Sequence, residues 1–113
     1  MNKLNTDGSF IHSTGKAGIG GILRDEEGDI IFAFSMPVQS NSRNMAEALA
    51  AKFVLDQCIQ HGVHNISLEL DSMLITNLIK QGHSSNIFLK PSIDDINEMV
   101  KDANIEVSHC YRE

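Results

Sequence analysis

The hydrophobic positions of this 113-residue chain change their period along its length. Over about residues 2–10, apolar and polar side chains alternate around Leu4, Thr6 and Asp7, the two-residue repeat of a half-buried strand. Ser13-Thr14-Gly15-Lys16 has turn chemistry, and Gly18-Ile19-Gly20-Gly21-Ile22-Leu23-Arg24 reads as a second, glycine-rich strand. Asp25-Glu26-Glu27-Gly28-Asp29 predicts a hairpin turn with Gly28 suited to positive φ. Ile30-Ile31-Phe32-Ala33-Phe34-Ser35-Met36 is then a third strand, stopped by Pro37. Connections this short make the three an antiparallel meander.

From about Asn44 to Gln60 the repeat becomes helical, with Ala48, Ala51, Leu55, Cys58 and Ile59 on one face and Gly62 as the stop. Asn65–Asp71 returns to strict alternation: Ile66, Leu68 and Leu70 face inward, and Ser67, Glu69 and Asp71 outward. A second helix is predicted over about 72–80, ended by Gly82. After Pro91 a third spans about 92–102, with Ile93, Ile96, Met99 and Val100 inward. Ile105–Cys110 closes the series as a fifth strand. The order βββαβααβ predicts one α/β domain over residues 1–113, built on a mixed five-stranded sheet with helices on its apolar face. A right-handed crossover places strand four beside strand one and parallel to it.

Charge and composition narrow the function classes. Nine Lys and Arg against fifteen Asp and Glu leave a formal charge of −6, which argues against a basic nucleic-acid coat protein. It leaves room for an enzyme that gathers cations in a carboxylate cluster. No apolar run approaches the ~18 residues of a membrane span, and Met1–Thr6 shows no secretory h-region. Two cysteines, Cys58 and Cys110, make neither a disulfide scaffold nor a metal-ligand spacing. The expectation is an intracellular setting, nucleus or cytosol, with an organelle left open.

Three acids sit where local structure changes type: Asp7 before Gly8-Ser9, Glu47 in the first turn of the first helix, and Asp71 at the end of the fourth strand. Each has a plain structural reading. Asp-Gly-Ser is turn-forming, Asn44-x-x-Glu47 has the form of a capping box, and Asp71 or Ser72 suits a helix cap. Together, at strand and helix ends of an α/β sheet, they point to a site. Clustered carboxylates repel, so a folded cluster implies a divalent cation, and oxygen-only ligands favour magnesium or manganese. His109 taken alone is a plain strand residue, His12, His61, His64 and His83 look like solvated loop residues, and Cys58 belongs to the core.

Asp7-Gly8-Ser9, Gly20-Gly21-Ile22-Leu23-Arg24-Asp25 with Gly28, Ser40-Asn41, Ala46-Glu47-Ala48, Leu68-Glu69-Leu70-Asp71-Ser72 and Ser108-His109-Cys110-Tyr111-Arg112-Glu113 resemble the ribonuclease H type 1 family. The likeness covers essentially the whole chain and is similar to the plant reverse-transcriptase-like ribonuclease H domains related to retroelements. It implies a ribonuclease H-like fold and endonucleolytic hydrolysis of the RNA strand of an RNA/DNA hybrid with two Mg²⁺ ions, Mn²⁺ as substitute. Asp7, Glu47 and Asp71 match three of the family's four metal-holding carboxylates, and His109 matches its catalytic histidine. Asn44 and Ser72 match positions that contact the hybrid backbone, with Gly8 allowing close approach and Ser9 beside it.

Departures from the family define the alternative. The fourth carboxylate would follow His109 by ten residues, beyond Glu113, so the family's C-terminal helix is expected to be absent and the domain truncated. Residues 81–91 hold only Lys90 as a formal cation, and no tryptophan is present to line a DNA-strand channel. The competing expectation is a catalytically inactive nucleic-acid-binding or protein-interaction module, part of a larger fusion protein or self-associating through an uncovered sheet face.

Overall fold

The computed structural model describes residues 1–11 and 13–110. His12 and the Tyr111-Arg112-Glu113 end of the last sequence motif lie outside the described residues. The elements run β1 (Asn2–Ile11), β2 (Lys16–Arg24), β3 (Ile30–Val38), α1 (Arg43–Gln60), β4 (Ile66–Leu70), α2 (Met73–Gln81), α3 (Lys90–Ala103) and β5 (Glu106–His109). They form one mixed sheet in the order β3-β2-β1-β4-β5. The first three strands are antiparallel, while β4 pairs parallel with β1 and β5 parallel with β4. The element order βββαβααβ predicted from hydrophobic period is the order observed, and β4 lies beside β1 as the crossover requires.

Alternation decides the faces. Leu4, Thr6 and Gly8 of β1, Ile19 and Leu23 of β2, and Ile66, Leu68 and Leu70 of β4 are buried toward the helices. Leu55 and Cys58 of α1, Ile75 of α2, and Ile93 and Ile96 of α3 complete the same cluster. One hydrophobic core thus lies between the sheet and three helices on one face. Asn5, Asp7, Ile22, Ala33 and Glu69 are on the opposite face, around an open depression of about 630 Å³. Among the described residues no helix is long and apolar enough to cross a membrane.

Two glycines set how closely α1 lies on this sheet. A Cβ at Gly8 would overlap the Ala46–Glu47 backbone of α1, and one at Gly21 would come within 2.5 Å of Val54 Cγ1. No other residue leaves that space, so the helix backbone rests directly on β1 and the Val54 side chain on β2.

Several boundaries depart from the pattern reading, each for a physical reason. Pro37 does not stop the third strand: it lies inside β3, opposite Gly18, because β3 is an edge strand where a missing N–H costs no ladder bond. Asn44 is not the cap of α1. Ser42 is, its hydroxyl accepting from the Met45 N–H at 3.1 Å, so Asn44 and Glu47 form no capping box. Pro91 falls in the first turn of α3 rather than before it, a place where proline is tolerated. Ser72 does cap α2, accepting from the Ile75 N–H at 3.2 Å, and Gly82 ends that helix at φ 85°.

Gly21→Ala is expected to cost roughly 1–3 kcal/mol by overpacking against Val54. In urea unfolding, the Gly21→Ala/Val54→Ala pair should lose at least about 0.5 kcal/mol less than the sum of the single variants.

Candidate metal centre

Each of the three acids is delivered by a different element. Asp7 projects from the open face of β1, and Asp71 follows the last residue of β4. The parallel register pairs Asn5 with Glu69 and Thr6 with Leu70, which brings the chain ends carrying Asp7 and Asp71 side by side. Below them, Asn5 Nδ2 donates to Glu69 Oε2 at 3.2 Å, a side-chain bond across the same two strands. Glu47 comes from the first turns of α1, which the Gly8 contact holds against β1. The result is a cluster in which Asp7, Glu47 and Asp71 each offer a carboxylate oxygen within 4.8 Å of the others.

The electrostatics follow from this crowding. Glu47 is only 4% exposed. Burial, then repulsion from Asp71, a hydrogen bond with the Asp71 carboxyl and repulsion from Asp7 push its carboxyl from 4.5 up to about 8, with Arg43 opposing. Glu47 Oε2 is buried without a hydrogen-bond partner. Such an atom costs stability unless a ligand satisfies it. Three carboxylates form an all-oxygen donor set, suited to a hard divalent cation rather than to zinc. The residues present therefore fit a cation: Asp7, Glu47 and Asp71 would hold it.

The other sequence-predicted residues fall around this centre. His109 ends β5, and its Nε2 lies 3.1 Å from the Asp71 carbonyl oxygen, which ties the ring to the strand end carrying that acid. Asn44 and Ser72 line a small cleft of about 140 Å³ together with Arg43, Glu47 and Asp71. Ser9 is exposed on the open side of β1 and shares a second depression with Asp7 and Lys16. Gly8 requires a correction. It is buried, and the close approach it permits is that of the α1 backbone rather than of a sugar-phosphate. His61, His64 and His83 are exposed and Cys58 is buried, as their positions in the pattern implied.

Arg43 was missed. It stands one helical turn before Glu47 on the same face of α1, and that i, i+4 spacing was the available signal.

Over residues 5–113 the sequence matches the reverse transcriptase-like family. The chain belongs to that family. A putative ribonuclease H protein of Arabidopsis thaliana is 31% identical over 112 residues, 98% of this chain; the chain spans 18% of that relative's length. Among solved structures, ribonuclease H1 of the archaeon Halobacterium salinarum NRC-1 superposes with a TM-score of 0.89 at 21% identity, covering 98% of this chain and 86% of its own. LC11-RNase H1 in complex with an RNA/DNA hybrid gives 0.88 at 23% identity, covering 99% and 86%. This reverse transcriptase-like domain therefore has the ribonuclease H fold, and its three acids converge on one point of that fold.

The raised Glu47 carboxyl fixes the direction of a pH effect in metal-free protein. Between about pH 4.5 and 8 the folded state keeps a proton that the unfolded chain has released, so stability should fall as pH rises through that window. Thermal melts in chelator should show this decline. Glu47→Gln should flatten it and stabilise the metal-free protein above pH 8 by roughly 1–3 kcal/mol, while weakening Mn²⁺ binding in titration calorimetry.

Proposed function

We propose that this domain is a metal-dependent endonuclease that hydrolyses the RNA strand of RNA/DNA hybrids, with two Mg²⁺ ions or Mn²⁺ in their place. The observation that carries this reading is the convergence of Asp7, Glu47 and Asp71 around a buried, unsatisfied Glu47 oxygen. It is supported by family membership and by the hybrid-bound protein of the same fold. Divalent ions bound between these carboxylates would supply a water nucleophile of lowered pKa and charge stabilisation at the leaving 3′ oxygen.

The chain's own residues have distinct tasks. Asp7 and Asp71 present negative charge at the open lip, where a scissile phosphate approaches. Glu47 is largely buried, and its position depends on the seating of α1 on Gly8. His109 stands beside Asp71, its Nε2 against the Asp71 carbonyl oxygen. Asn44, Ser72 and Ser9 offer uncharged hydrogen-bonding groups along the path of the strand.

A second reading, a hybrid-binding domain without turnover, is favoured by one observation. The Glu47 carboxyl, pushed up to about 8 by burial and its acidic neighbours, holds a proton at neutral pH that competes with a cation.

Cleavage of an end-labelled RNA/DNA hybrid in Mg²⁺ and in Mn²⁺ separates the two. The nuclease reading expects cuts in the RNA strand only, lost by about a hundredfold or more in Asp7→Asn. Binding of the hybrid with no cleavage in either metal would establish the module instead.

A further inference from the structure

Where α1 and α3 pack together they leave a groove of about 480 Å³ between them. Phe53 and Ile59 of α1 and Met99 and Ala103 of α3 give it an apolar lining. Ile59 and Met99 are half-buried against the hydrophobic core, whereas the Phe53 ring is 38% exposed. Lys52 to Ile59 and Asp95 to Ala103 each cover about two helical turns, roughly 10–12 Å. None of these residues lines the acidic centre or the open depression of the sheet.

The rim of this groove is acidic. Asp56, Asp95, Glu98 and Asp102 stand along it, with Lys52 as the cation among the described lining residues. Lys52 shows what the rim accepts: its Nζ lies 3.0 Å from Asp95 Oδ2 and 5.7 Å from the centre of the Phe53 ring. A cation is thus held between a carboxylate and the face of an aromatic ring. Among the described residues no cation lies within ion-pair distance of Asp56, Glu98 or Asp102. Charge selects the occupant. Nucleic acid and anionic lipid are repelled by such a rim, and a second copy of a chain of net charge −6 would set acids against acids. A protein segment with lysines or arginines flanking apolar anchors matches both the lining and the rim.

We propose that the α1–α3 groove docks a basic amphipathic helix of a partner protein. Apolar side chains one turn apart on that helix lie against Phe53, Ile59 and Met99. Its lysines or arginines pair with Asp56, Glu98 and Asp102, as Lys52 pairs with Asp95. The inference is independent of the nuclease reading, and docking here uses no residue of the acidic centre.

The probe is a fluorescein-labelled synthetic helix of about 14 residues, with leucines at i, i+3, i+4 and i+7 and lysines elsewhere. A scrambled peptide of the same composition is its control. Fluorescence anisotropy compares wild type, Phe53→Ala, Glu98→Lys and Glu27→Lys, with thermal melts to confirm folding. Glu27 is exposed in the β2–β3 turn, so its variant makes the same charge change away from the groove. Wild type is expected to bind the amphipathic peptide with a Kd on the order of 10 µM. Phe53→Ala and Glu98→Lys should each weaken binding about fivefold or more, and Glu27→Lys by less than about twofold. Amide NMR shifts on adding peptide should gather on residues 52–60 and 95–103. No binding by wild type, equal binding of the scrambled peptide, or equal weakening by Glu27→Lys would overturn the docking site. Shifts at the same residues on concentrating the protein without peptide would overturn it in favour of a second copy.

Discussion

With no side chain on Gly8 or Gly21, the backbone of α1 lies directly on β1, and the Val54 methyls reach the surface of β2. Everything at the acidic centre depends on that contact. A glutamate on a helix meets an aspartate from a strand only if helix and sheet come closer than ordinary side chains permit. The small face of α1, with Ala46, Ala48, Ala50 and Ala51 all fully buried, continues the same close packing. Leu55 and Cys58 extend the buried face toward the far end of the helix.

The centre so formed is unfavourable in isolation. Glu47 is out of reach of water, next to two other acids, with one oxygen unsatisfied. A buried carboxylate in such company stays protonated to about pH 8, so the metal-free fold tolerates the cluster by holding a proton there. A divalent cation held by Asp7, Glu47 and Asp71 would offset their mutual repulsion and take the place of that proton. Stability is thus given up locally and supported by the core between sheet and helices, the usual relation of a functional site to its scaffold.

Around this centre the charge is unevenly placed. Lys3, Lys52 and Lys90 pair with Glu69, Asp95 and Asp94. The open face of the sheet is mostly uncharged apart from its acids. Arg43 and Ser72 stand at the starts of α1 and α2 and line one cleft with Glu47 and Asp71. The acidic centre therefore draws on the ends of several elements: β1, α1 and the β4–α2 junction.

The sequence by itself determined the order of the elements and the place of the fourth strand beside the first. Alternation around Leu4 and Leu68, the helical repeat from Ala48 to Cys58 and short connections leave few topologies, because buried faces and right-handed crossovers exclude the rest. It also marked Asp7, Glu47 and Asp71, since acids at element ends stand out against an apolar pattern. What it left undecided were features set by neighbours distant in the chain. Pro37 continues a strand only because β3 falls at the sheet edge, and the role of Gly8 depends on which backbone arrives above it. Ser42 rather than Asn44 caps α1, a choice between adjacent polar residues that the helical period does not make. The tertiary structure alone decided that three acids share one point, that Glu47 is shut away from water, and that Arg43 stands beside them. Distance and burial belong to the packed chain and are absent from the order of its residues.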